Sequence, residues 1–195
     1  MEFIIDLAVT FWQWTVVIAV IAVSYLINKL DKPDLKRVGF EFTEMPKMQP
    51  VPIATASKGF WGAIWMWITG TRQWKITEDF YYVVNGLDYK IPAGFQFDGA
   101  SVPKFLATFL SPVGVLLMGG LVHDYGYKYA TLMKLDGSHI GYKDQKYMDR
   151  LFRDICIEVN GFYALNYLAY YALRLAGFVA WNGHKKRGTQ LEVSK

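Results

Sequence analysis

The chain has 195 residues, 53% of them hydrophobic and 19% charged, with a formal net charge of +4. This balance excludes intrinsic disorder and is poorer in charge than the roughly one quarter usual in globular domains. The single cysteine, Cys156, excludes an internal disulfide and a cysteine-built zinc site.

From Leu7 to Ile27 the sequence LAVTFWQWTVVIAVIAVSYLI carries no charge. At ~1.5 Å per helical residue the run covers roughly 30 Å, the depth of a bilayer core. Trp12, Trp14 and Tyr25 lie towards its ends, where interfacial rings belong. The run predicts a single transmembrane helix, an anchor within residues 1–30 with the lipid bilayer as its partner. Lys29, Lys32, Lys36 and Arg37 follow the apolar run and no basic residue precedes it. The positive-inside rule then predicts a single-pass protein with its carboxy-terminal body in the cytoplasm.

Residues 31–73 read as a linker. The proline-spaced PKMQPVP, from Pro46 to Pro52, predicts extended chain, with Phe40 and Phe42 in a short strand. Gly59 to Gly70 holds Trp61, Trp65 and Ile68 at helical spacing; an interfacial helix and a core helix fit equally. Residues 74–97 predict a small antiparallel meander. Tyr81–Val84 and Leu87–Ile91 are β-rich and separated by Asn85-Gly86, the strongest short hairpin signal. Beyond Pro103 the pattern turns helical, with helices expected over about 103–110, 113–130, 143–159 and 162–180. Phe162 to Trp181 is nearly long enough to cross a bilayer, but Arg174 interrupts it and His184, Lys185, Lys186 and Arg187 follow it. A helix in the core or against a membrane surface is the better reading. The fold class is thus α+β: a small sheet and then a mainly helical bundle over 74–181, with a basic tail over 182–195.

Chemistry concentrates at one place. His123 and Asp124 follow eleven uncharged residues, Pro112 to Val122, and polar groups in such surroundings must be partnered or used. Tyr127 falls one turn beyond His123. An antiparallel return around Gly137 brings Asp149 opposite His123, so that a carboxylate fixes the imidazole tautomer and leaves the other nitrogen as a base. Asp124 then remains for a hard cation such as calcium. A purely structural His–Asp–Tyr network fits the same residues. Asp98 and Gly99 read as a turn or as close backbone approach to a ligand. P-loop, dinucleotide, serine-elbow and zinc-protease motifs are absent, and the short basic tail gives no case for nucleic acid.

The segments Pro92-Ala93-Gly94-Phe95-Gln96-Phe97-Asp98-Gly99-Ala100-Ser101-Val102-Pro103, His123-Asp124-Tyr125-Gly126-Tyr127 and Asp149-Arg150-Leu151-Phe152 resemble a family of phage and prophage proteins. It is catalogued as domain of unknown function thirteen-fifty-three, and the likeness runs over about residues 74–181. The resemblance implies bacteriophage origin. More locally, His-Asp-x-x-Tyr with a second Asp-Arg resembles the site of phospholipase A2. That likeness implies His123 as the base that activates water, Asp149 as its orienter and Tyr127 as support. It implies Asp124 and the Gly99 backbone as ligands of Ca2+. Two functions follow as expectations. One is a non-enzymatic membrane or virion component at the host envelope, in the host inner membrane, with phage structural or host envelope proteins as partners. The alternative is a metal-dependent hydrolase of lipid esters or other envelope substrates.

Overall fold

A computed structural model describes residues 12–30, 38–52, 57–69, 73–97, 114 and 116–190. Its helices are α1 (Trp12–Leu30), α2 (Gly59–Thr69), α3 (Leu117–Tyr129), α4 (Gln145–Asn160) and α5 (Tyr163–Lys186). Its strands are β1 (Glu41–Phe42), β2 (Met48–Val51), β3 (Gln73–Ile76), β4 (Phe80–Val84), β5 (Leu87–Ile91), β6 (Gln96–Phe97) and β7 (Met133–Lys134). The α+β class stands. The membrane anchor does not.

No helix among the described residues is long and apolar enough to cross a membrane. The transmembrane helix expected over Leu7–Ile27, and with it the single-pass localisation in a host inner membrane, is therefore corrected. The physical reason lies in the difference between uncharged and apolar. Within α1 the strongly apolar stretch is Val16–Val23, which covers only about 12 Å along a helix axis. Gln13, Thr15, Ser24 and Asn28 dilute both flanks. Instead α1 packs along α5. Residues 7–11 of the expected span, the basic residues Lys32, Lys36 and Arg37, and the helix expected over 103–110 lie outside the described residues.

Two antiparallel sheets form, with strand orders β1-β4-β5-β7 and β2-β3-β6. The β4–β5 hairpin turns at Asn85-Gly86, both at positive φ (53° and 73°), the geometry whose twist matches the paired strands. Alternation along β4 sends Phe80, Tyr82 and Val84 inward, and Tyr89 and Ile91 of β5 join them. The stretch expected as linker is a working part of the fold: Met48–Val51 pairs with β3, placing Pro50 opposite Trp74. A proline lacks a ladder donor and suits an edge strand, which β2 is.

Asp144 caps α4 by accepting from the Tyr147 amide at 2.7 Å, and Gly161 ends the helix in the left-handed region. One face of α4 buries Met148, Asp149, Leu151, Phe152, Ile155 and Cys156. Most of α3 is buried between this face and the sheets; Phe95 meets Tyr125 with ring centroids 5.2 Å apart. In α5, Asn166, Ala169, Leu173, Gly177 and Trp181 form the inward stripe packed on the core, while Leu175, Phe178 and Val179 on the other face are exposed.

The α3–α4 contact depends on Gly119. A Cβ there would sit 2.8 Å from the Phe152 carbonyl oxygen and against the Cys156 sulfur. Because the first of these is backbone, the helices must part to admit a methyl group. Gly119→Ala is expected to lower stability by about 1–3 kcal/mol, read as a shifted urea midpoint at unchanged slope.

Candidate active site

Three helices converge on one carboxylate. Asp149 sits in the second turn of α4 with 0% relative exposure. Its Oδ1 faces His123 Nε2 at 3.0 Å and accepts from the Tyr127 hydroxyl at 2.5 Å, both from α3. Its Oδ2 accepts from Arg174 Nη1 of α5 at 2.6 Å. Gln145 donates to the Tyr127 oxygen at 3.1 Å, so the tyrosine proton is directed at Asp149. The Phe152 ring, 5.5 Å from the imidazole, walls the other side. Gly177 lets α5 approach, since a Cβ there would press on the Tyr127 hydroxyl.

This arrangement assigns the imidazole proton. A carboxylate only accepts, so neutral His123 carries its hydrogen on Nε2 and its lone pair on Nδ1. Nδ1 lies 3.6 Å from Asp124 Oδ1, too far for a hydrogen bond. Among the described residues, neither Nδ1 nor Asp124 Oδ2 has a hydrogen-bond partner. Burial acts to lower the His123 pKa, but Asp124 and Asp149 outweigh it and hold the ring above its ordinary value of 6.5. Burial acts to raise the Asp149 pKa, and the bonds from His123, Tyr127 and Arg174 overcome it, so Asp149 stays ionised. Burial, reinforced by Asp149, drives the Tyr127 pKa well up and keeps the phenol a donor.

His123 and Asp124 line a cleft of about 780 Å³ between α3, the inner face of α5 and the ends of β3 and β6. Lys128, His184 and Arg187 line the same cleft. The structure thus brings together His123, Asp124, Tyr127 and Asp149, while Asp98 and Gly99 lie outside the described residues. Among the described residues, no group of three or more His, Cys, Asp or Glu side chains is placed to hold a metal ion. Calcium takes about six to eight oxygen ligands. One carboxylate in a cleft shared with Lys128 and Arg187 does not meet that demand, so no step is routed through a cation.

Sequence reasoning missed Arg174, which it read only as a cost to membrane crossing. A lone charge within an apolar helix is itself a signal that a buried partner exists. It also missed the cleft face of the α5 terminus, whose charges are adjacent in sequence but diverge around the helix.

A family model described as protein of unknown function (DUF1353) matches residues 74–173. Comparison with curated proteins and with solved structures returns no match.

Proposed function

We propose that this chain, which belongs to the DUF1353 family, is a hydrolase in which His123 acts as general base toward water. One observation carries the reading: a buried imidazole fixed by a carboxylate through Nε2, with no hydrogen-bond partner on Nδ1 among the described residues, in a residue that lines a cleft. In the reaction His123 Nδ1 takes a proton from water as the water oxygen attacks the carbonyl carbon of an ester. The tetrahedral adduct collapses, and the departing alkoxide takes the proton back from His123. Asp149 and Asp124 stabilise the imidazolium formed between these steps. Asp149 also prevents the ring from presenting the wrong nitrogen.

The pH dependence tests it. Protonated His123 has no lone pair, so kcat/KM on soluble chromogenic esters is expected to rise with pH and level off above the pKa of His123, displaced above 6.5. Asp124 contributes to that upward displacement, so Asp124→Asn is expected to move the rising limb to lower pH whatever it does to the maximal rate. Absence of ester turnover, or a limb that stays in place in this variant, counts against the proposal.

A second reading has support from a different observation. Asp149 ties α3, α4 and α5 together through Tyr127 and Arg174, which is sufficient reason for a buried network in a non-catalytic phage component. On that reading substitutions at His123 act through stability alone.

A further inference from the structure

We infer that the cleft beside His123 contains an oxyanion subsite, formed by Lys128, His184 and Arg187, that holds the phosphate group of a small phosphorylated ester. The inference rests on the hydrolytic reading of the same cleft and adds the substrate class.

The basic residues at the end of α5 divide by direction. His184 and Arg187, three apart, line the cleft together with Ala180 and Gly177 of the same helix face, whereas the exposed Lys185 and Lys186 do not. Complementing a helix terminus accounts for basic residues anywhere in that last turn. Lys128 stands in the last turn of α3 and complements that terminus in the same way, yet it lines the same cleft from a second helix. The Lys128 ammonium lies 5.3 Å from the Phe95 ring centroid and 5.5 Å from that of Tyr129, which position it without neutralising it. Among the described residues no carboxylate forms an ion pair with Lys128 or Arg187.

The donors are also oriented. Arg187 Nη2 donates to His184 Nδ1 at 2.9 Å, so the proton of neutral His184 resides on Nε2. Burial, with Arg187 and Lys128 adding to it, holds the His184 pKa below its ordinary value and keeps that neutral form. The subsite therefore offers a point charge, a guanidinium with donors to spare and a ring N–H. A phosphate monoester, with three terminal oxygens and up to two negative charges, uses all three; a carboxylate has two oxygens for them. Asp124, in the same cleft, repels an anion from the His123 end. The phosphate accordingly lies towards α5, and the scissile ester lies at the imidazole.

Titrating the full chain with inorganic phosphate, against chloride at equal ionic strength, tests the subsite by calorimetry and by thermal midpoint. Lys128→Gln and Arg187→Gln are each expected to weaken phosphate binding by about tenfold, as loss of one charge-assisted bond does. Lys185→Gln/Lys186→Gln is expected to bind as the parent does. Equal weakening by the Lys185/Lys186 pair would mean diffuse surface charge and would overturn the inference, as would undiminished binding in Lys128→Gln/Arg187→Gln. Phosphate binding that follows the predicted pattern in a protein without ester turnover sustains the subsite and removes the hydrolase reading.

Discussion

Asp149→Ala is expected to destabilise the fold by about 3 kcal/mol or more, the largest single-residue effect in this structure. The carboxylate is fully buried and accepts three bonds, from His123, Tyr127 and Arg174. Alanine leaves all three donors without an acceptor, and a buried donor left unsatisfied costs more than its bond contributed. Arg174 is the most forgiving of them: its side chain retains 32% exposure and can turn to water. His123 cannot. The gap between parent and variant should depend on pH with a definite sign. Asp149 titrates below its ordinary 3.8 in the fold, so its contribution is complete above that value and fades as pH falls through the folded pKa. Urea denaturation at neutral and strongly acidic pH should therefore show a large difference that narrows in acid.

The same carboxylate illustrates what the sequence made legible. His123, Tyr127 and Asp149 could be grouped because helical spacing and a short return loop constrain geometry, and the distances agree. The Asn85-Gly86 hairpin was readable for the same reason: local backbone chemistry decides it. What escaped depends on three-dimensional company. Arg174 looked like a charge stranded in an apolar helix until Asp149 supplied its partner from another helix. Met48–Val51 read as extended linker from its proline spacing, and nothing in the pattern discloses that an edge position is available. The leading segment misled by its lack of charge. Counting charges treated Gln13, Thr15, Ser24 and Asn28 as equivalent to valine, although each dilutes the hydrophobic gain that crossing a bilayer requires.

Substitutions that preserve shape separate chemistry from architecture. His123→Gln retains an amide N–H able to donate to Asp149 but no basic nitrogen; kcat/KM on esters is expected to fall by about 10²–10⁴-fold in a protein that still folds. Asp149→Asn should be nearly as damaging for a different reason. With its amide nitrogen in the Oδ1 position the asparagine oxygen can still accept from Arg174, but the Tyr127 hydroxyl loses its acceptor and the amide donates towards His123 Nε2, so the ring must place its hydrogen on Nδ1. The lone pair then faces residue 149 and Nδ1 holds a proton beside Asp124, which is the wrong tautomer for a base. A purely structural network predicts a different ordering, with loss of function following loss of stability and Asp149→Ala far worse than either conservative change. Measuring turnover and urea midpoints on the three variants decides between them: the general-base reading requires His123→Gln and Asp149→Asn to lose activity well beyond their loss of stability, and fails if activity tracks the fraction folded.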